Sequence, residues 1–195
     1  MYGMIHRGCQ HAVLKLYGTE VWLKCLKHSG LKEEHFISAA YHTDEITLKL
    51  ITAISEECNL SIKDVLRAAG RHWIEYTKQA GYESILTLTG KTLPDFLENL
   101  DRMHESLNRT LPEAILPSFQ LVSVETDRLK VIYRSAREGF EELVFGIMEG
   151  VIEHFEAQMT LEYEIKADGT YFTLERAVTL PLSNKSYHDA LDMVG

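Results

Sequence analysis

The first half of the chain repeats its hydrophobic residues at intervals of three and four, the spacing of amphipathic helices. Glycines and capping residues interrupt this repeat, which predicts several helices rather than one long one. We expect helix ends at Gly18, Gly30 and Gly81, and N-caps at Thr43 and Ser61. The helix that begins at Thr43 is expected to bury the following hydrophobic side chains: Ile46, Leu48, Leu50, Ile51 and Ile54.

One further helix is predicted from Thr92, an N-cap with Asp95 three residues later, to about Leu107. Its hydrophobic stripe consists of Leu93, Phe96, Leu97, Leu100, Met103 and Leu107. His104 lies on the same stripe, so we expect a buried imidazole there. A buried imidazole needs a partner for at least one ring nitrogen, since an unsatisfied nitrogen costs about 1–3 kcal/mol.

The hydrophobic period changes to two in the second half of the chain, which predicts β-strands. Strands are expected at 118–125 and 128–135, followed by a hairpin with strands at 160–166 and 171–177. Residues 138–155 between them return to helical spacing, with glycines at 146 and 150 that would let a neighbouring helix approach closely. The fold class is therefore α+β, with helices first and an antiparallel sheet that carries one helix in its middle.

Length, charge and cysteine content limit the possible settings and partners. A chain of 195 residues fits one domain and can bury about 70% of its unfolded surface. The net charge of −9 argues against nucleic acid or an anionic membrane surface as a partner. We expect no signal peptide and no membrane span. Cys9, Cys25 and Cys58 are odd in number and far apart, which favours a reducing, cytoplasmic setting over a disulfide framework.

Three interpretations of His104 compete. The first is a core histidine bonded to a backbone carbonyl, which is the most frequent case for a lone histidine. It could be a zinc ligand, but no HxxxH, HExxH or CxxC motif supplies the other ligands. It could also be an axial ligand of haem, which requires only one protein nitrogen.

The segment that ends at Arg137 changes the balance between these interpretations. If residues 130–137 form a strand, Tyr133, Ser135 and Arg137 project from one face at intervals of about 7 Å. Two hydroxyls and a guanidinium on one face make an anion site, and arginine suits bidentate contact with a carboxylate. A solvated strand face is the alternative. A helix with a buried histidine followed by carboxylate-binding groups is what a porphyrin with propionates requires.

These segments also resemble a known family. Asn99-Leu100-Asp101 through His104, Pro117-Ser118-Phe119, and Tyr133-x-Ser135-x-Arg137-Glu138-Gly139 are similar to the H-NOX (haem nitric oxide/oxygen binding) family. The chain start, Met1-Tyr2-Gly3, and Gly81-Tyr82-Glu83-Ser84-Ile85-Leu86 match as well. The resemblance covers residues 1–182 and is strongest to bacterial members and to the haem domain of the soluble guanylate cyclase β subunit. It leaves residues 183–195 as a flexible tail or linker.

The resemblance implies a helical N-terminal (distal) lobe, a C-terminal (proximal) lobe with a four-stranded antiparallel sheet, and a haem between them. His104 would be the iron ligand of a haem b, which is bound without covalent attachment, in keeping with the absence of CxxCH. Tyr133, Ser135 and Arg137 would hold the propionates. Pro117 would press on the porphyrin and keep it out of plane.

The resemblance also implies how the distal side treats gases. The family's oxygen-binding members carry a tyrosine donor in the helix after the Tyr-Ser-Arg segment, and that position here is Leu143. Other distal residues by the family pattern are Tyr2, Ile5, Cys9 and Trp73. We therefore expect a sensor that binds nitric oxide and CO and excludes O₂. For Cys9, a small core residue is favoured over a redox role.

Signalling by the family would use cleavage of the histidine–iron bond and relaxation of the haem, read by a partner protein. A histidine kinase, a cyclic-di-GMP enzyme or a chemoreceptor are the expected partners, since the chain has no catalytic signature of its own and is not predicted to be an enzyme. Two alternatives stay open: a haem enzyme of the peroxidase or nitric oxide dioxygenase type, and an interaction domain without haem. No distal acid–base His–Arg pair supports the enzyme.

Overall fold

A computed structural model describes residues 1–110, 113 and 115–177. The predicted domain end at residue 182 and the predicted tail at 183–195 lie outside these residues. The described helices are α1 (Gly3–Ser29), α2 (Asp44–Cys58), α3 (Ile62–Thr77), α4 (Glu83–Thr89), α5 (Leu93–Thr110) and α6 (Glu141–His154). The described strands are β1 (Ser118–Val124), β2 (Arg128–Arg134), β3 (Met159–Lys166) and β4 (Gly169–Arg176).

The helix breaks predicted from glycines are confirmed. Gly18 has φ 81° and ψ 179°, so α1 consists of two helical segments joined at a kink. Gly30 ends α1 in the left-handed conformation with φ 66°, and Gly81, with φ 88°, lies in a π-type turn between α3 and α4. Each of these φ values is open to glycine at little steric cost, which explains why the helices break there.

Two predicted N-caps are confirmed, and one predicted core residue is wrong. The backbone N–H of Asp64 donates to Ser61 Oγ at 3.2 Å, and that of Asp95 donates to Thr92 Oγ1 at 3.3 Å. In contrast, Leu48 is 53% exposed. The buried stripe of α2 consists of Thr47, Leu50, Ile51 and Ile54, together with Ala53. Leu48 falls outside this i, i+3, i+4, i+7 stripe and faces solvent.

The four strands form one antiparallel sheet in the order β1-β2-β4-β3. The connection from β2 to β3 contains α6, as the change of hydrophobic period predicted. One face of the sheet is buried under helices through Leu129, Val131, Phe172 and Leu174. The α+β class with a four-stranded antiparallel sheet is therefore confirmed.

The hydrophobic core has two parts. One lies in the N-terminal lobe, between α1, α2 and α3, and the other lies between the sheet, α5 and α6. The lobes meet where α3 packs on α6, and glycines make this contact close. A Cβ atom on Gly70 would lie 2.1 Å from the carbonyl oxygen of Leu143, and one on Gly146 would lie 2.1 Å from that of Arg67. The close approach predicted from Gly146 is thus confirmed.

None of the helices in the described ranges is long and apolar enough to cross a membrane.

Candidate functional site

His104 lies on α5 at the point where burial of the helix decreases. The apolar face is fully buried at Leu93, Phe96, Leu97 and Leu100. Met103, His104 and Leu107 are only half-buried by the described residues. The imidazole that was expected to be buried is therefore half-buried by the described residues.

One ring nitrogen of His104 has a fixed role. Its Nδ1 lies 3.0 Å from the carbonyl oxygen of Pro117. Because a carbonyl oxygen only accepts, Nδ1 carries the proton and Nε2 keeps its lone pair. Nε2 has no hydrogen-bond partner among the described residues. Burial lowers the pKa of His104 below its usual value, so the ring is neutral near pH 7. This arrangement suits a histidine that ligates a metal through Nε2, and the same bond to a backbone carbonyl is the one expected of a core histidine.

Asp101 holds the histidine helix to the sheet, and the sequence did not reveal this role. Its carboxylate accepts the backbone N–H of Phe119 and the hydroxyl of Ser118 at 3.2 Å. The ring of Phe119 in turn packs against that of His104, with 5.5 Å between ring centroids. Asp101 and His104 are three residues apart, so they are neighbours on the surface of α5. This spacing is the one feature of the sequence that connects Asp101 with His104.

The prediction that Tyr133, Ser135 and Arg137 share one strand face is wrong. β2 ends at Arg134, which pairs with Ser118, the first residue of β1, so no partner strand continues the ladder. Beyond it the backbone N–H of Arg137 donates to Ser135 Oγ at 3.0 Å and turns the chain. The three side chains therefore leave the backbone from a strand end and a turn rather than from a regular strand.

Tyr133 is the buried member of this group. Its ring packs against Phe119 at 5.3 Å and against Phe172 at 6.2 Å between centroids. Burial raises the pKa of its hydroxyl, so Tyr133 remains a neutral hydrogen-bond donor. Through Phe119, Tyr133 belongs to the same cluster of rings as His104.

Arg137 already contacts an anion in this structure. Its Nε donates to both carboxylate oxygens of Asp44, each at 3.1 Å, and its Nη1 donates to the carbonyl oxygen of Ile115 at 2.6 Å. Burial raises the pKa of Asp44, but hydrogen bonds from Arg137 and the Met1 amine outweigh it and hold that pKa below its usual value. Arg137 is thus paired with a carboxylate of the chain itself, and the anion site expected from Tyr133, Ser135 and Arg137 stays a prediction.

The five residues expected on the distal side lie in different parts of the fold. Cys9 is buried in the N-terminal core, against which Leu143 also packs. Tyr2 is buried and contacts the edge of the Tyr41 ring, with centroids 5.6 Å apart. Burial raises the pKa of Cys9 to about 12, which fits a core thiol.

Trp73 packs against the C-terminal core, and Ile5 is half-buried. The Trp73 ring lies on Gly8 of α1, where a Cβ would come within 2.9 Å of ring atom Cε3. The structure therefore places Cys9 and Leu143 in or against the same N-terminal core and Trp73 against α1.

The donor set fits haem better than a bare metal ion. Within residues 1–110, 113 and 115–177, no three His, Cys, Asp or Glu side chains are arranged to hold a metal. A single imidazole with an available Nε2 suits a cofactor that brings the remaining iron ligands itself. The half-buried apolar side chains of Met103 and Leu107 beside His104 suit a porphyrin face, and Tyr133, Ser135 and Arg137 would be the donors for its carboxylates.

Comparison with known proteins identifies the family to which the chain belongs. A family model described as haem-NO-binding (HNOB) matches residues 2–163. Soluble guanylate cyclase 89Db of Drosophila melanogaster is 28% identical over 155 residues, which are 80% of this chain and 23% of that protein. The chain thus spans less than a quarter of the length of this curated relative.

Solved structures agree with this result. The Fe(II) unliganded H-NOX protein from K. algicida is 25% identical, with a TM-score of 0.75 over 92% of this chain and 98% of that chain. The oxygen complex of an oxygen-binding H-NOX domain related to soluble guanylate cyclases has the same fold, with 21% identity and a TM-score of 0.74 over 90% of this chain and 94% of that chain. The chain therefore belongs to the haem-NO-binding (H-NOX) family, a family of haem-binding gas-sensor domains related to soluble guanylate cyclase.

Proposed function

We propose that this chain senses nitric oxide through a haem b held between its two lobes, with His104 as the axial ligand. The observation that carries the proposal is the hydrogen bond from His104 Nδ1 to the Pro117 carbonyl oxygen at 3.0 Å. That bond fixes the ring and leaves the Nε2 lone pair available to iron. When bound, haem would supply a ferrous iron able to take up diatomic gases. The sequence lacks CxxCH, which supports non-covalent binding.

The cofactor carboxylates would be held at the end of β2. Tyr133 and Ser135 offer hydroxyl donors, and Arg137 offers the Nη2 group, which has no partner among the described residues. Pro117 has two roles in the proposal. Its carbonyl oxygen orients His104, and its ring would contact the porphyrin. Axial ligand, hydrogen bonding and porphyrin shape are the properties by which a protein tunes haem iron, so these residues would set its affinity for gases.

Exclusion of O₂ would follow from the absence of a donor at Leu143. Bound O₂ carries partial negative charge and is stabilised by a hydrogen-bond donor, whereas nitric oxide binds ferrous haem tightly without one. Leu143 has only a hydrocarbon side chain, and Cys9, in the core against which Leu143 packs, is a weak thiol donor. The distal side formed with Tyr2, Ile5 and Trp73 would therefore favour nitric oxide and CO over O₂.

The response to the gas would be a change in how α5 is held. His104 is fixed by Pro117, and Asp101 is fixed by Phe119, so α5 has two attachments to the start of the sheet. If His104 lost its bond to iron, α5 would still be attached to the start of the sheet through Pro117 and Phe119. It would no longer be held through the cofactor, and could then shift relative to the N-terminal lobe. A partner protein that contacts α5 would detect the shift. A histidine kinase, a cyclic-di-GMP enzyme or a chemoreceptor would provide the output, as a separate or a fused protein in the cytoplasm.

Substitution of the proposed ligand tests this function. The variant His104→Gly should lose the axial-ligand features of the ferrous absorption spectrum and regain them when imidazole is added. His154→Gly is the matched control, because His154 is also half-buried and lies in the last turn of α6. It should keep the wild-type spectrum. If His104→Gly has the wild-type spectrum without imidazole, the ligand assignment is wrong.

A further inference from the structure

The guanidinium of Arg137 is held by two other segments of the chain. The side chain is only 13% exposed. Its Nε donates to both carboxylate oxygens of Asp44 at 3.1 Å, and its Nη1 donates to the carbonyl oxygen of Ile115 at 2.6 Å. Nη2 has no partner within the described ranges. Two of the three guanidinium nitrogens are therefore held, while Nη2 is without a partner among the described residues.

These contacts connect distant parts of the fold. Asp44 is the first residue of α2 in the N-terminal lobe. Ile115 lies in the link between α5 and β1, two residues before the carbonyl that orients His104. Arg137 itself follows β2. One side chain thus joins the N-terminal lobe, the sheet and the link beside the histidine.

We infer that Asp44 is a positioning residue for Arg137 in the cofactor-carboxylate site, an inference that rests on the proposed function. An arginine side chain has many rotamers, and binding of a carboxylate by a free one must first restrict them. Asp44 and Ile115 restrict the guanidinium in advance, so that Nη2 is presented in one orientation. Asp44 does not contact the ligand in this role and acts through Arg137.

Positioning by Asp44 and competition by Asp44 have opposite effects on cofactor binding, so the direction of the change separates them. A carboxylate next to Arg137 would repel a second carboxylate, so a competing Asp44 would weaken cofactor binding. The contacts favour positioning because Asp44 uses Nε, while Nη2 stays available on the same guanidinium. Arginine has five N–H donors in a rigid plane and can contact two carboxylates at once.

The first experiment compares the rate of haem loss from the ferric holoprotein to an excess of apomyoglobin. Asp44→Asn keeps the size of the side chain and removes its charge, and should speed haem loss about tenfold, because charge-assisted hydrogen bonds are about twice as strong as neutral ones. Glu45→Gln is the matched control. Glu45 is the next residue of α2 and pairs with Lys49 at 2.8 Å on the surface, so its variant should lose haem at the wild-type rate. Asp44→Glu keeps the charge and should restore most of the slow loss.

The second experiment repeats the measurement with haem dimethyl ester, which has no free carboxylates. If Asp44 acts through Arg137 on a carboxylate, Asp44→Asn and the wild type should lose the ester at equal rates. A tenfold difference that persists with the ester would mean that Asp44 only holds the lobes together, and would overturn the inference. Slower loss of haem from Asp44→Asn than from the wild type would show competition and overturn it as well.

The two proposals fail in different ways. If the wild type takes up no haem, the proposed function is wrong and the inference falls with it. If the wild type holds haem through His104 but Asp44→Asn loses haem at the wild-type rate, the inference alone is wrong.

Discussion

The close contact between α3 and α6 makes Gly146→Ala the most informative change in the fold. A Cβ at position 146 would lie 2.1 Å from the carbonyl oxygen of Arg67 and 2.9 Å from the backbone nitrogen of Arg71. Ordinary contacts of a Cβ begin at about 3.4 Å. The two helix backbones must therefore separate by about 1.3 Å, the difference between 3.4 and 2.1 Å, because no side chain can rotate away.

The expected change in the free energy of unfolding of Gly146→Ala follows from two opposing effects. Replacing a glycine within a helix by alanine raises stability by about 1 kcal/mol when space allows. Overpacking of a tight core contact, including the backbone shift it forces, lowers stability by about 1–3 kcal/mol, with a clash against backbone at the upper end. At position 146 the overlap is with backbone, so we expect a net loss of about 2 kcal/mol in the free energy of unfolding. Leu143, one turn earlier on α6, would move with the helix.

Urea denaturation of the apoprotein, followed by far-ultraviolet circular dichroism, measures this loss. With a slope of about 2 kcal/mol/M, the midpoint should fall by about 1 M urea. Gly150→Ala provides the graded comparison, because its Cβ would lie 2.7 Å from the nearest backbone oxygen, that of Arg71, and should cost less. A midpoint for Gly146→Ala that is unchanged or higher would refute the packing of α3 on α6 described above.

Three further predictions concern the site and its surroundings. Leu143→Tyr should raise O₂ affinity by supplying a donor, which an oxygen titration of the ferrous protein would detect, and an unchanged affinity would contradict the distal assignment. Asp101→Ala should lower the free energy of unfolding by about 1–3 kcal/mol, because the N–H of Phe119 loses its acceptor, and urea denaturation without a loss of this size would contradict that contact. Burial lowers the pKa of His6 from 6.5 to about 4, so the stability contributed by His6 should be fully present above pH 6.5 and should be lost as the pH drops from there to about 4. His6→Asn should reduce the slope of stability against pH by up to one proton, about 1.4 kcal/mol per pH unit, and an equal slope would show that His6 is not buried in its neutral form.

Local signals in the sequence predicted the elements of the fold well. Gly18 and Gly30 adopt backbone angles that favour glycine, and Ser61 caps its helix with its own hydroxyl, so each of these features depends on residues close in sequence. Leu48 was assigned to the core by its hydrophobicity alone. Its exposure depends on which face of α2 meets α1 and α3, and this is a property of the tertiary packing.

The site was predicted less completely, for the same physical reason. His104 is a candidate because a polar residue on an apolar stripe is visible in the sequence. The roles of Asp44 and Asp101 depend on partners 93 and 18 residues away, so no local pattern reveals them. The end of β2 at Arg134 was missed because the alternation continues to Arg137, while the partner strand needed for pairing begins only at Ser118.

The absorption spectrum of the reduced, haem-loaded protein tests the central proposal most directly. It should be recorded under nitrogen, then with nitric oxide, and in a separate sample with air. The proposal predicts a five-coordinate ferrous haem that binds nitric oxide and forms no stable complex with oxygen. A stable oxygen complex would contradict the selectivity assigned to Leu143. A protein without a Soret band after expression with adequate haem would contradict the role of His104 and the proposed function altogether.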